Sequence, residues 1–152
     1  MTTIRLPAPR VAEAFNRLFD GAEPQKLLEA ALGDFEGRIA LVSSFGAESA
    51  ALLHLVAEVD RTTPVLFLET GMLFPATLAY QQDLAEHLGL TDVRVIRPAP
   101  DALRAEDRDG TRHQWDADGC CDLRKTRPLE AALAPFDAWI TGRKRFQTAE
   151  RA

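Results

Sequence analysis

Cysteine and histidine are scarce in this chain, which has two cysteines and three histidines among its 152 residues. Two adjacent cysteines cannot supply the disulfide framework of a small secreted domain. The histidines, His54, His87 and His113, have no mutual spacing that suits a zinc site. We therefore expect neither a disulfide-rich nor a zinc-stapled scaffold, and we predict a reducing, cytoplasmic location.

Long apolar runs are also missing. No stretch approaches the roughly 20 residues needed to cross a bilayer, and residues 1–15 lack the basic start and apolar run of a secretory signal. The net charge of −5 disfavours bulk electrostatic binding to nucleic acid, which needs a basic surface. Neither a membrane nor a nucleic acid is therefore expected as a partner.

Positive charge is nevertheless concentrated towards the end of the sequence. This concentration predicts a local anion site, although a solvated basic helix face explains it equally well. The cations concerned are Arg124, Lys125, Arg127, Arg143, Lys144, Arg145 and Arg151.

Short apolar runs alternate with helical patterns along most of the chain. The runs at 39–42 and 65–68 have the length and composition of buried strands, 93–96 is a third predicted strand, and 138–140 forms a fourth. The helical patterns between them predict an α/β fold, in which a parallel twisted sheet with right-handed crossovers carries helices on both faces.

The first part of the chain precedes this alternation. Residues 11–32 contain two short helical patterns that Gly21 and Pro24 separate. We therefore assign residues 1–37 to an N-terminal helical lead-in and residues 38–152 to the α/β domain.

The last third departs from the alternation. Residues 97–119 are rich in proline and charge without clear periodicity, which predicts a long surface excursion. A helix is expected from 122 to 134. The sequence stops soon after TGRKRFQ without a cap or terminal helix, so we expect the domain to be truncated here.

Polar turns follow the first two predicted strands. Residues 43–49, SSFGAES, offer backbone N–H groups, hydroxyls and a helix start to a phosphate-like anion. Residues 69–75, ETGMLFP, place exposed polar groups after the second strand. Both turns fall at the carboxyl edge of a parallel sheet, where ligands bind. An ordinary strand-to-helix turn with serine as its N-cap explains SSFGAES equally well, and the GxxxxGK[ST] and GxGxxG patterns are absent.

Cys120 and Cys121 are the most informative residues of the sequence. A disulfide between neighbouring residues is strained, and Gly119 and several charges surround the pair. Arg124 and Lys125 follow closely, and nearby positive charge favours the thiolate that binds metals or attacks electrophiles. We interpret the pair as reactive or ligating, the competing explanation being two buried structural thiols.

Four motifs together, SSFGAES, LETGMLFP, GCCDLRKTRPL and TGRKRFQ, resemble the assimilatory sulfonucleotide reductases in order and spacing. The resemblance covers roughly residues 38–152 and is greatest to the adenylyl-sulfate reductases that carry an iron-sulfur cluster. It implies a PP-loop fold like that of the ATP pyrophosphatases. It also implies thiol-dependent reduction of adenosine 5′-phosphosulfate, or its 3′-phosphorylated form, to sulfite and the nucleotide, with thioredoxin or glutaredoxin as electron donor. The resemblance does not fix the oligomeric state, and a homo-oligomer is one option.

The resemblance also implies roles for individual residues. Cys120 and Cys121 would be two of the four ligands of a 4Fe-4S cluster, and Lys125 would link that cluster electrostatically to the phosphosulfate. The implied substrate-binding residues are Ser43, Ser44, Phe45, Gly46, Ala47, Glu48 and Ser49 in the modified PP-loop, Leu68, Glu69, Thr70 and Gly71 at the adenosine pocket, and Gly142, Lys144, Arg145 and Arg151 near the sulfate.

Two features of the family pattern are missing from this sequence. A later CxxC supplies the other two cluster ligands, and a cysteine near the C-terminus attacks the sulfur. On this basis the polypeptide should bind nucleotide without turning it over. One alternative is a PP-loop adenylating enzyme, although Phe45 and Glu48 interrupt its SGGxDS pattern. Another is a non-catalytic nucleotide-binding fragment with a structural metal at the cysteine pair.

Overall fold

Four short parallel strands form the centre of the computed structural model, which describes residues 8–143. The strands are β1 (Ile39–Val42), β2 (Val65–Leu68), β3 (Val93–Ile96) and β4 (Ala138–Thr141), and they lie in the order β3-β2-β1-β4. All three neighbouring pairs are parallel, with Leu41 aligned to Val65 on one side and to Ile140 on the other. The predicted parallel α/β sheet is confirmed.

Helices precede the first strand and connect the later ones, and those up to residue 88 lie close to where the sequence predicts them. They are α1 (Ala8–Leu18), α2 (Pro24–Asp34), α3 (Ala47–Val59), α4 (Pro75–Leu88), α5 (Pro100–Glu106), α6 (Ala117–Cys121) and α7 (Arg127–Leu133). Gly89 ends α4 in the left-handed conformation, at φ 68°, and its N–H caps the helix. None of the helices in this part of the chain is both long and apolar enough to cross a membrane.

One face of the sheet carries the main hydrophobic core. Side chains alternate along a strand, so Ile39 and Leu41 point the same way as Val65 and Phe67. They pack with residues of the lead-in and the first two crossover helices: Leu28 and Leu32 of α2, Leu53 and Val56 of α3, and Ala85 of α4. Because Leu28 and Leu32 share this cluster with the strand residues, α2 is part of the same core as the sheet. Burial of each large apolar side chain stabilises the fold by about 1.5–3 kcal/mol.

The opposite face is covered by the last helix. Ala40 and Leu66 are as fully buried as their neighbours on the core face, and α7 packs against β2 and β3. The guanidinium of Arg94 on β3 lies 5.6 Å from the ring centroid of Phe136, which follows α7. Helices therefore cover both faces, as predicted.

The segment 97–119 differs from the sequence prediction. In place of an irregular excursion it forms α5, a 3₁₀ turn at Arg112–Gln114 and the start of α6. The sequence signal was weak because these elements are short and depend on ion pairs more than on apolar periodicity. The helix expected to start at residue 122 begins at Ala117 and contains both cysteines.

A π-helical turn, Asp122–Thr126, joins α6 to α7. We call the continuous segment 117–133 the cysteine helix. Wide turns of this type are rare and are often found at functional sites.

Candidate functional site

The strand order reverses between β1 and β4, and their carboxyl ends lie side by side. Val42 is paired with Thr141, so the turn after β1 and Gly142 after β4 lie side by side at the carboxyl edge of the sheet. A Cβ placed on Gly142 would lie 3.5 Å from Leu52 of α3, which shows how closely the two approach. In open parallel sheets such a reversal is where ligands bind.

The turn after β1, residues 43–46, lies on one side of this reversal; we call it the serine turn. The buried Ser43 hydroxyl accepts a hydrogen bond from the N–H of Phe45 at 3.1 Å. The hydroxyls of Ser44 and Ser49 lie 3.4 Å apart. Ser44 is exposed, and α3 begins directly after Gly46. Hydroxyls and the positive end of a helix thus meet at the strand-order reversal, a combination that suits an anion.

Phe45 has an unusual backbone conformation within the serine turn. It is the only non-glycine residue of the described chain with positive φ, at 54°. Its side chain is 1% exposed and meets the Phe67 ring edge-on, with centroids 5.3 Å apart. Burial of the ring holds the backbone in a conformation that costs about 1–2 kcal/mol for a residue with a Cβ, so the core fixes the shape of the turn.

The turn after β2, residues 69–74, is called the glutamate turn. One carboxylate oxygen of Glu69 accepts from the N–H of Gly71 at 2.6 Å, and the other accepts from Arg97 at 3.3 Å. Leu68 is half-buried at the strand end. Thr70 was expected to be exposed, but it is buried, and its hydroxyl accepts from the N–H of Met72 at 3.3 Å. The Glu69 and Thr70 side chains therefore accept hydrogen bonds from the backbone of their own turn. Gly71 is exposed.

The two cysteines face different surroundings. Consecutive residues of an α-helix point about 100° apart, and accordingly Cys120 is buried while Cys121 is exposed. Lys125, four residues after Cys121, is also exposed, and it makes no ion pair with another of residues 8–143. The exposed thiol and the exposed ammonium therefore lie on neighbouring positions of the cysteine helix.

Arg124, expected to act as a cation beside the cysteines, is instead buried in an ion pair. Its Nε and Nη2 donate to one carboxylate oxygen of Asp107 at 3.2 and 2.7 Å. Its Nη1 donates to the carbonyl oxygen of Thr70 at 2.6 Å. These bonds lower the pKa of Asp107, the Arg124 guanidinium being the main cause. Sequence reasoning missed Asp107, because nothing in the sequence indicates that it would meet Arg124.

A second group of ion pairs supports the start of the cysteine helix. Arg112 donates to Asp116 at 2.9 and 3.1 Å and to Glu106 at 3.1 Å. Arg127 binds Glu106 through two bonds of 2.8 and 2.6 Å and lowers the pKa of that carboxyl to about 2. Asp116 also caps α6 by accepting from the N–H of Gly119 at 3.0 Å. The polar residues that precede the cysteine helix, 97–116, thus hold it in place.

The donor set for a metal is incomplete within this sequence. No group of three or more His, Cys, Asp and Glu side chains in residues 8–143 is placed to hold a metal ion. A four-iron cluster normally takes four protein ligands, and this sequence has only two cysteines. On their own, then, these residues supply half of such a site. Lys144, Arg145 and Arg151, predicted to lie near the sulfate, fall outside the described residues.

The described residues thus form a parallel α/β fold with hydroxyl groups and the start of a helix at its strand-order reversal. The family model described as phosphoadenosine phosphosulfate reductase domain matches residues 38–152. The chain belongs to this family, which confirms the resemblance drawn from the four motifs.

Individual relatives agree with that assignment. The adenosine 5′-phosphosulfate reductase of Mesorhizobium japonicum is 48% identical over 142 residues, covering 93% of this chain and 56% of that protein. The phosphoadenosine 5′-phosphosulfate reductase of Gloeobacter violaceus is 34% identical over 140 residues, covering 91% of this chain and 58% of that protein. The chain thus spans somewhat more than half the length of these relatives.

A solved structure shows the same fold. The phosphoadenylyl-sulfate reductase of Candida auris, crystallised as a phosphate complex, superposes with a TM-score of 0.76 at 20% identity, covering 96% of this chain and 72% of the other.

Proposed function

We propose that these residues form the nucleotide-binding part of an enzyme that reduces adenosine 5′-phosphosulfate to sulfite and AMP. The observation that carries the proposal is the strand-order reversal, where the serine turn and the start of α3 meet Gly142. The relatives that are 48% identical are named as reductases of the unphosphorylated nucleotide. The 3′-phosphorylated form is the second candidate substrate, because relatives at 34 to 36% identity carry that name.

In this proposal the serine turn binds the phosphate of the nucleotide and the glutamate turn lines the adenosine pocket. Hydroxyls and helix N–H groups suit the phosphate. The Glu69 carboxylate is held by Gly71 and Arg97, so the pocket wall is preorganised before the nucleotide arrives. Gly142 and the cations Lys144, Arg145 and Arg151 complete the proposed sulfate side.

The reaction begins with attack of a cysteine thiolate on the sulfate sulfur. An S–S bond forms, the bond between that sulfur and the bridging oxygen breaks, and AMP leaves with the oxygen. A dithiol donor such as thioredoxin or glutaredoxin then attacks the enzyme sulfur, sulfite leaves, and the donor ends as a disulfide after giving two electrons. The exposed Lys125 stabilises negative charge that develops on the phosphosulfate in this first step.

Two requirements of the proposal lie outside these 152 residues. The attacking cysteine must be supplied by other sequence, because Cys120 and Cys121 are assigned to the cluster. Two further cluster ligands must be supplied as well. Cys120 and Cys121 would hold two corners of a 4Fe-4S cluster, which with four thiolate ligands would supply a negatively charged centre to the cysteine helix. A cytoplasmic location is part of the proposal, since thiols stay reduced there.

The test measures sulfite release from adenosine 5′-phosphosulfate with thioredoxin and counts iron, in this chain and in a version extended along its reading frame. We expect sulfite and about four irons only in the longer protein, and AMP binding by calorimetry in both. Sulfite release by these 152 residues alone would contradict the assignment of the cysteines. Pyrophosphate release from ATP would favour the adenylating alternative, and nucleotide binding without sulfite in the longer protein would favour a non-catalytic role.

A further inference from the structure

We infer that Arg124 is a positioning residue that couples the glutamate turn to the cysteine helix, so that occupation of the nucleotide pocket changes the accessibility of Cys121. The inference rests on the proposed function, because it takes the glutamate turn to be a wall of that pocket.

The coupling has a direct physical route. Arg124 belongs to the π-helical turn of the cysteine helix, and it lies three residues after Cys121. Its Nη1 bonds the carbonyl oxygen of Thr70 at 2.6 Å, across 54 residues of sequence. A Cβ placed on Gly71 would lie only 3.2 Å from the same nitrogen. The guanidinium is therefore packed against the backbone of the glutamate turn as well as bonded to it.

Asp107 fixes the orientation of this contact. It holds Nε and Nη2, while its other oxygen accepts from the N–H of Arg112 at 3.0 Å. The Arg124 side chain is 8% exposed and that of Asp107 is 2% exposed, so little water is available to replace either partner. The three bonds need the planar fork of a guanidinium, which a lysine ammonium cannot reproduce.

Other contacts of the cysteine helix lead elsewhere. Arg127 pairs with Glu106 of α5 and with Asp122 of its own helix, and its side chain is 43% exposed. Among residues 8–143, Arg127 supports the helix without a bond to the glutamate turn. It therefore provides a matched control, an arginine in the same helix with two or more carboxylate bonds.

The experiment follows the alkylation rate of Cys121 by iodoacetamide with and without saturating AMP. A Cys120→Ala background leaves Cys121 as the only thiol of the chain. AMP carries no sulfate, so it probes the nucleotide pocket. We expect AMP to change the alkylation rate of Cys121 about fivefold, a common size for coupling between two sites. We call the larger of the rates with and without AMP, divided by the smaller, the AMP ratio. In Arg124→Lys this ratio should fall close to one. The control Arg127→Lys should keep the ratio.

A second variant protects the test against misfolding. Asp107→Asn leaves Arg124 and Thr70 in place but removes one charged acceptor, and we expect an intermediate AMP ratio. Circular dichroism and the urea midpoint of each variant check that it is folded. An unchanged AMP ratio in folded Arg124→Lys would overturn the inference, and so would an alkylation rate that AMP leaves unaltered in the parent. Calorimetry distinguishes failure of this inference from failure of the proposed function. If neither AMP nor adenosine 5′-phosphosulfate binds, the proposed function is wrong. If they bind and the alkylation rate does not respond, only the coupling through Arg124 is wrong.

Discussion

Replacing Phe45 by glycine should destabilise this protein less than replacing it by alanine, the reverse of the usual order. Phe45 combines a positive φ of 54° with a side chain that is 1% exposed. Both substitutions remove the same ring from the core. They differ in whether the new residue has a Cβ that opposes the left-handed backbone.

The size of the effect follows from comparison with Phe67, the ring in contact with Phe45. Loss of either ring to alanine should cost about 3–5 kcal/mol. In strand β2, Phe67→Gly should cost about 0.5–1 kcal/mol more than Phe67→Ala, because glycine loses more backbone freedom on folding. At position 45 glycine has the same entropic cost. Alanine, however, keeps the strain of a Cβ in a left-handed conformation, about 1–2 kcal/mol, which glycine avoids. The glycine-minus-alanine difference should therefore shift by about 1–2 kcal/mol between the two sites.

Urea unfolding of the four variants measures this shift, with the free energy extrapolated from each midpoint and slope. Equal slopes are needed for the comparison to hold. If glycine is worse than alanine by the same amount at both positions, the backbone of Phe45 is not strained and the reasoning about the serine turn is wrong.

Three further predictions concern the cysteine helix. Gly119→Ala places a Cβ against a carboxylate oxygen of Asp116 and should lower the free energy of unfolding by about 1–3 kcal/mol. Gly33→Ala in α2, which has open space around it, should raise the free energy of unfolding by about 0.5 kcal/mol; urea unfolding compares the two variants. The pKa of Glu106 is lowered to about 2 in the folded protein, so its stabilising effect is present above the ordinary glutamate pKa and is lost as pH falls towards 2. Glu106→Gln should flatten the decline of stability from about pH 5 to about pH 3, and a decline as steep as in the parent would contradict this. In the extended protein, Lys125→Ala should lower the rate of sulfite release about tenfold or more while changing AMP affinity less than twofold, if its charge acts mainly in the transition state; equal losses in rate and affinity would argue against that role.

The sequence identified most of the fold because its signals are local. The runs at 39–42, 65–68 and 93–96 match the strands residue for residue. The first two are buried on both faces and so are apolar throughout, whereas β3 lies at the edge of the sheet and carries the exposed Arg94. Gly89 and Pro75 marked the ends of α4 for equally local reasons. Segment 97–119 was wrongly expected to be irregular, because α5 and α6 are short and have no apolar stripe that a periodicity could reveal.

The sequence by itself determined the strands, the places of the two polar turns and, through four ordered motifs, the family. Only the tertiary structure decided which groups remain available. It buried Thr70 and Arg124, paired Arg124 with Asp107, and placed Phe45 in a left-handed conformation. The physical reason is that ion pairs and burial join residues far apart in the chain, such as Thr70 and Arg124, and no local pattern encodes which distant partner a charge will meet.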